Sequence, residues 1–279
     1  MEIFSSYSGA GFLGFYALML ATCVAAGFWI PANLRPLGKR SEVEDLEEVA
    51  VLNGGADRLN LAVLSSLFAK GALTSGNSKK LFSTDKDQAE SEAERAVLSK
   101  VGGFSLADAK RTLLEQAAQV EQRLIQRGLM MSEQERLRLK IFSTLPFAVL
   151  FVIGLYRQQA GAALGEPTGI LIALLIVTFV LGLIRFFTGT KRTIAGQEVV
   201  MELEESKSRL RRAPQANEAG FAVALFGTGV LVGTPWEAVH AARAASAGGG
   251  AGGVYGGDDG GSDGGGGGCG GGGCGGCGG

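Results

Sequence analysis

The chain has 279 residues, of which 46% are hydrophobic and 19% are charged, so its composition favours a membrane protein over an average soluble domain. Its 26 Lys and Arg side chains nearly balance 27 Asp and Glu side chains, and a nucleic-acid partner is therefore not expected. Because His240 is the one histidine, most of the usual general bases and metal ligands are excluded.

The first predicted element is a membrane-spanning helix in an N-terminal segment, residues 1–33. Residues 10–30 carry no charge, and a helix of about 20 residues crosses a hydrocarbon core of about 30 Å. Glu2 precedes this run, and three basic residues follow it: Arg35, Lys39 and Arg40. Since cytoplasmic flanks carry the excess of Lys and Arg, we expect the N-terminus outside and residue 35 onward in the cytoplasm.

Three alanines, Ala17, Ala21 and Ala25, form a stripe at four-residue spacing on this helix. Small residues at that spacing let helix backbones approach closely. We interpret the stripe as the face that packs against the other membrane helices, and self-association into a homo-oligomer is the alternative. Cys23 in the same run is interpreted as a small apolar residue.

Residues 41–140 are predicted to form a cytoplasmic helical domain. Capping boxes of the form S-x-x-E predict helix starts at Ser41, Ser91 and Ser132, and Ser105 begins a weaker box. A DNA-binding domain would carry a basic face, but basic and acidic residues are nearly balanced across this domain. The charge pattern therefore favours a protein-interaction module.

Two stretches of this domain, 62–82 and 119–131, have the same order of features. Each contains an apolar helix, a glycine typical of a helix end and an apolar pair. In the first stretch, the turn residues TSGN predict a β-hairpin. A winged-helix-like unit, duplicated in the domain, is therefore one expectation.

Residues 141–187 are predicted to be a transmembrane helical hairpin. The apolar runs 141–156 and 169–187 are joined by a loop with Gly and Pro, and basic residues flank both outer ends. Both ends are therefore expected in the cytoplasm, and Pro146 is expected to kink the first helix. Transport is a weaker hypothesis, because we expect no charged residue inside a span.

Residues 190–246 are predicted to form a further cytoplasmic helical segment. Within it, residues 220–233 form an apolar run of about 14 positions, the length of a buried or interfacial segment and not of a span. Three spans are therefore expected.

The last segment, residues 247–279, is a Gly/Cys-rich tail that contains Cys269, Cys274 and Cys277. Such low-complexity sequence predicts a disordered tail, because ordering glycine costs more entropy than ordering any other residue. Alternatively, the three cysteines bind a metal, with His240 as the fourth ligand of a zinc ion, or act as thiols. Beyond this metal site, the sequence indicates no catalytic and no cofactor-binding residues.

The chain resembles a family of uncharacterised bacterial membrane proteins that end in a Gly/Cys-rich tail. The resemblance rests on six stretches: GAGFLGFYALML, LSSLFAKGALT, EAERAVL, KRTIAGQEVVMELEESKSRL, AVALFG and CGGGGCGGCGG. More distantly, it is similar to predicted membrane proteins of unknown function with Gly-rich C-termini. In those proteins the stretch equivalent to AVALFG follows the last membrane helix in the cytoplasm, and neither family implies a known activity.

The predicted fold class is a mainly α membrane protein with three transmembrane helices, a cytoplasmic helical region, winged-helix-like in part, and a disordered Gly-rich tail. The favoured function is a non-enzymatic, membrane-anchored protein-interaction module of the bacterial inner membrane. The alternative is a membrane-bound thiol or metal-binding protein that uses the C-terminal cysteines. An enzyme is less expected, because no acid, base and nucleophile converge.

Overall fold

A computed structural model describes residues 9–76, 80–163 and 169–247. These residues contain a two-stranded sheet and nine α-helices, together with three short 3-10 turns. The helices are α1 (Gly9–Leu34), α2 (Leu46–Ala69), α3 (Glu92–Leu98), α4 (Leu106–Gln126), α5 (Glu133–Ala163), α6 (Gly169–Phe187), α7 (Ile194–Ser206), α8 (Ala219–Phe226) and α9 (Ala238–Ala247). The antiparallel strands are β1 (Leu73–Ser75) and β2 (Leu81–Ser83).

Three helices, α1, α5 and α6, are long and apolar enough to cross a membrane. The qualifying stretches are Gly11–Leu34, Glu133–Gly161 and Gly169–Phe187. The last of these matches the predicted second run of the hairpin, whereas α5 begins eight residues before the predicted first run. Pro31 does not end the first span, because α1 continues to Leu34.

The three long helices pack together as a bundle. From α1, Phe12, Tyr16 and Cys23 are buried, and they join Phe147 and Leu150 of α5 and Leu171 and Leu175 of α6. The Tyr16 hydroxyl lies 3.1 Å from Thr178 Oγ1, and the Cys23 thiol donates to the Pro146 carbonyl at 3.5 Å. A methyl group at Gly154 would lie 2.8 Å from Tyr16 Cε2, so a glycine is needed where α1 meets α5.

The alanine stripe is not the packing face of α1. Ala17, Ala21 and Ala25 are exposed, whereas Tyr16, Cys23 and Gly27 are buried. Phe12 and Tyr16 on the opposite face bury more apolar area than alanine can, and they decide which face turns inward. Packing of the stripe against the hairpin helices was therefore a wrong expectation, and self-association remains a prediction.

The remaining helices form one helical domain from the two chain segments that flank the α5–α6 hairpin. Its single core contains side chains of α2, α3 and α4 from the first segment and of α7, α8 and α9 from the second. The apolar run at 220–233 supplies α8 and a following 3-10 turn, Thr228–Leu231. Gly220 allows α8 to lie against α2, since a methyl group there would be 2.8 Å from Ser66 Cβ. Most apolar side chains of residues 220–231 thus pack in or against the domain core, which explains the apolar character of the run, whereas Val232 is exposed.

Helix starts follow the predicted capping chemistry in three of four places. Ser91 Oγ accepts from Glu94 N at 3.1 Å, and Ser105 and Ser132 make reciprocal bonds with Asp108 and Glu135. The box at Ser41 is wrong, because α2 begins at Leu46 with Asp45 as its N-cap. A carboxylate at the N-cap also interacts favourably with the helix dipole.

The two similar stretches end their helices in the same way. Gly71 and Gly128 have φ values of 75° and 78°, the left-handed conformation expected at a helix end. The first stretch continues into the β1–β2 hairpin, as expected. The second does not form its own hairpin, because Met130 pairs with Arg192, which follows the membrane hairpin in the chain.

Candidate functional site

The cysteines predicted to bind a metal, Cys269, Cys274 and Cys277, lie outside the described residues, so their role stays a prediction. His240, the proposed fourth ligand, lies on α9 with its Nδ1 atom 3.1 Å from Thr228 Oγ1. Within 9–76, 80–163 and 169–247, no group of three or more His, Cys, Asp or Glu side chains is placed to hold a metal ion.

One buried polar cluster satisfies the C-terminal end of α8. Asn53 Nδ2 donates to the carbonyl of Ala224 at 3.0 Å, and Arg58 Nη1 donates to that of Val223 at 3.5 Å. Arg192 Nε donates to the Leu52 carbonyl at 2.8 Å, beside the break in α2 at Gly54 and Gly55. Because helix ends leave unpaired carbonyls, these bonds have a structural explanation. We therefore assign no chemistry to this cluster.

A second buried cluster joins α2 to α3 through Glu94. Its carboxylate accepts from Ser66 Oγ at 2.8 Å, from Lys70 Nζ at 2.9 Å and from Glu90 N at 2.8 Å. Burial alone would raise the pKa of Glu94, but these hydrogen bonds outweigh it and hold the pKa below its usual value. The carboxylate is therefore ionised and fully bonded, which suits a structural role and not a general base.

A backbone clamp fastens the helical domain to the membrane bundle. The clamp joins residues 36–39 after α1, 128–131 before α5 and 191–196 after α6. Its hydrogen bonds include Lys39 N to Gly128 O at 3.2 Å, Met131 N to Lys191 O at 2.8 Å and Ala195 N to Leu37 O at 2.9 Å. The three chain crossings between bundle and domain are thus bonded to one another, and the two parts are held directly together.

Beside the clamp lies a cleft of about 240 Å³ at the end of the bundle. We call it the junction cleft and define it by six of its lining residues: Arg35, Arg136, Lys140, Ser143, Arg185 and Thr190. They come from the segment after α1, the first turns of α5, the last turn of α6 and the loop after it. Four of the six are cationic, and the described residues that line the cleft include no carboxylate.

The cations of the junction cleft are only partly paired. Arg35 Nη1 donates to Gln197 Oε1, and Arg136 Nη2 lies 3.8 Å from the exposed Glu133 carboxylate. The Nε atoms of Arg35 and Arg185 and the Oγ1 atom of Thr190 are buried without a hydrogen-bond partner among the described residues. Burial lowers the pKa of the Arg35 guanidinium, although arginine keeps its charge in proteins.

These cations were read from the sequence as single flanking charges, and nothing in the sequence indicated that they share a cleft. Arg35 and Lys140 are 105 positions apart, and nearly the whole hairpin lies between Lys140 and Arg185. The sequence did show their common position at span ends, and ends on the same side of a membrane lie at the same depth. That position indicates a shared depth and not a shared cleft.

The sequence also missed a charge within the bundle. Arg157 lies in α5, inside the apolar stretch Glu133–Gly161, and is only 7% exposed. Its guanidinium lies 5.6 Å from the centre of the Phe12 ring. Electrostatic attraction to the aromatic face offsets part of the solvation free energy that a cation loses on leaving water. Arg157 lies one position beyond the predicted run 141–156, so the expectation of no charge inside a span fails because α5 is longer than that run.

A surface aromatic side chain, Phe82, stands on strand β2 opposite Thr74. Its ring lies against two glycines: methyl groups at Gly76 and Gly103 would lie 2.5 and 2.8 Å from ring carbons. The side chain remains 42% exposed, and Val101 in the neighbouring loop is 93% exposed. Phe82 is thus held in place by backbone while part of it faces solvent.

No family model, curated protein or solved structure matches this chain.

Proposed function

We propose that the protein is a non-enzymatic, membrane-anchored protein-interaction module whose helical domain binds another protein. The observation that carries this proposal is Phe82, an exposed aromatic ring held in position by Gly76 of the hairpin and Gly103 between α3 and α4. Aromatic side chains dominate the binding energy of many protein interfaces, and a ring that is already fixed loses little entropy on binding.

The clamp supports the same proposal. Because the three crossings between bundle and domain are bonded to one another, the domain presents its surface at a fixed position relative to the membrane bundle. A partner that docks on the β1–β2 hairpin would therefore be held at a defined place, which is what a membrane anchor contributes to an interaction module.

The finer features of the fold belong to this proposal. We infer that α2 and the β1–β2 hairpin act as a winged-helix-like unit, and that the chain belongs to the uncharacterised bacterial family that it resembles. The basic residues at the ends of α1, α5 and α6 support a cytoplasmic domain, an external N-terminus and a bacterial inner-membrane location.

Site-specific photocrosslinking tests the interaction. Benzoylphenylalanine replaces Phe82 in the full chain, and the same probe at Leu114 of α4, an apolar residue 48% exposed, is the matched control. We expect a discrete crosslinked protein from position 82 that is absent from position 114 and is lost when Val101 is changed to Asp. Equal crosslinking from both positions, or none from position 82, would overturn the proposal.

A further inference from the structure

The junction cleft concentrates positive charge, and among the described residues its one ion pair is the long contact between Arg136 and Glu133. Four cations line a space of about 240 Å³, and the carboxylate nearest to them, Glu133, approaches Arg136 only to 3.8 Å. The charges of Arg35 and Arg185 repel each other. Like charges held in a partly buried space destabilise a fold unless an anion offsets them.

Three residues that line the cleft carry a buried polar atom without a hydrogen-bond partner among the described residues. Two of these atoms, the Nε atoms of Arg35 and Arg185, are donors, and the third, Thr190 Oγ1, is a hydroxyl that can donate. Buried polar atoms without partners are rare in native proteins. A group with several anionic oxygens is the ligand that such donor-rich side chains favour, and arginine binds phosphate through charge-assisted bonds.

The size and the depth of the cleft narrow the choice. Ligand pockets for drug-sized molecules are about 300 to 1,000 Å³, so a space of about 240 Å³ suits a single small group. Arg35 directly follows the stretch Gly11–Leu34, and Arg185 lies in the last turn of α6. The cations therefore lie at the ends of the apolar stretches, the depth at which lipid phosphates are found.

We propose that the junction cleft binds the phosphate ester of an anionic phospholipid, held by the four cations of the cleft. A lipid is favoured over free phosphate because exposed apolar side chains adjoin these cations in the chain: Leu34 precedes Arg35, and Phe187 follows Arg185 by two positions. They offer apolar surface for acyl chains. This proposal depends neither on the direction in which the bundle crosses the membrane nor on the proposed protein partner.

Thermal unfolding of the purified full chain in lipid nanodiscs tests the proposal. The discs contain phosphatidylcholine alone, phosphatidylcholine with phosphatidylglycerol, or phosphatidylcholine with inorganic phosphate in solution. We expect phosphatidylglycerol to raise the Tm. The dependence of the Tm on phosphatidylglycerol content should show about tenfold weaker binding to the Arg185→Gln variant, the loss expected for a charged hydrogen-bond donor. Inorganic phosphate at millimolar concentration should raise the Tm less.

Arg138→Gln is the matched control. Like Arg185→Gln, it removes one positive charge, here from the first turns of α5. Arg138 is exposed, stacks on Phe142 at 5.7 Å and does not line the cleft. If Arg138→Gln weakens phosphatidylglycerol binding as much as Arg185→Gln, the effect is surface charge and the proposal is overturned. Equal Tm values in the two lipid compositions would overturn it as well.

Two further outcomes are decisive. If inorganic phosphate stabilises the protein as strongly as phosphatidylglycerol does, the lipid assignment is wrong. If Arg185→Gln does not fold, Arg136→Gln replaces it, because the polar contact of Arg136 within the described residues is the long one, 3.8 Å, to exposed Glu133. Unchanged phosphatidylglycerol binding by Arg136→Gln would then overturn the proposal, and weakened binding would support it.

Discussion

At the scale of single residues, Glu94 shows how a charge is accommodated in the core of the helical domain. The carboxylate is 5% exposed, yet a hydroxyl, an ammonium group and a backbone N–H donate to it. Its partner Lys70 has a raised pKa, because the neighbouring carboxylates of Glu94 and Glu90 outweigh the opposing effect of burial. Both groups therefore stay charged across the neutral range.

The Glu94→Gln variant is expected to unfold more easily at pH 7, by about 2 kcal/mol, because Lys70 loses a buried ionic partner. The pH profile is a sharper measure. Since the pKa of Glu94 is lowered in the folded protein, its stabilisation is present above the unfolded value of about 4.3 and is lost as the pH falls below it. The Tm of the variant in detergent should therefore fall less than that of the wild type on acidification.

Glu92→Gln serves as the control, because Glu92 is exposed in the first turn of the same helix. It should lower the Tm at pH 7 far less than Glu94→Gln does. A Glu94→Gln protein whose Tm decreases on acidification as steeply as that of the wild type would show that other carboxylates cause the acid sensitivity.

At the scale of elements, the clamp depends on close backbone approach. A methyl group at Gly196, in the first turn of α7, would overlap the carbonyl oxygen of Leu129. Thr193 Oγ1, the N-cap of α7, accepts from Gly196 N and also donates to the carbonyls of Gly128 and Leu129. The start of α7 is therefore held against the chain that enters α5.

Gly196→Ala is expected to lower the free energy of unfolding by about 1 to 3 kcal/mol, the usual range for overpacking, because α7 must move away from Leu129. The comparison is with Gly229→Ala, where a methyl group would meet no atom within 4 Å. Thermal unfolding of both full-length variants in detergent measures the difference. Similar Tm values for the two variants would mean that the clamp adjusts without cost.

Sequence reasoning succeeded at this scale where the signal was local. Hydropathy predicted the bounds of α6. The left-handed backbone conformation that glycine favours predicted the ends of α2 and α4. The start of α2 was misplaced because SEVEDLEE contains several residues able to cap a helix, and packing selects Asp45 among them. The alanine stripe misled because two faces of α1 were periodic, and only the neighbouring helices show which face is buried.

At the scale of the whole molecule, the orientation of the bundle makes a direct prediction. With all four native cysteines changed to Ala, the chain carries one new cysteine, either Ser99→Cys after α3 or Glu166→Cys between α5 and α6. A membrane-impermeant maleimide should label position 166 in intact cells and position 99 only after permeabilisation, because basic residues follow α1, lie in the first turns of α5 and lie at and after the end of α6. The reverse pattern would invert the orientation, and labelling of both positions in intact cells would contradict a spanning hairpin.

The junction cleft and the shared core could not be predicted, because both depend on which distant segments meet. Arg35, Lys140 and Arg185 converge only after three helices pack, and the apolar run at 220–233 has no periodicity that identifies α2 as its neighbour. The run was correctly excluded as a span by its length. Its place at the centre of the domain follows from the buried faces of α2 and α8.

The split of the helical domain across the membrane hairpin imposes an order on its biogenesis. A ribosome makes α2, α3 and α4 first, then α5 and α6, and only afterwards α8, which fills the core against α2. At a synthesis rate of about 5 to 20 residues per second, the apolar faces of α2 and α4 remain without α8 for some seconds. The domain core can therefore be completed only after the hairpin has been synthesised. A nascent chain stalled before α8 would be a substrate for chaperones and proteases.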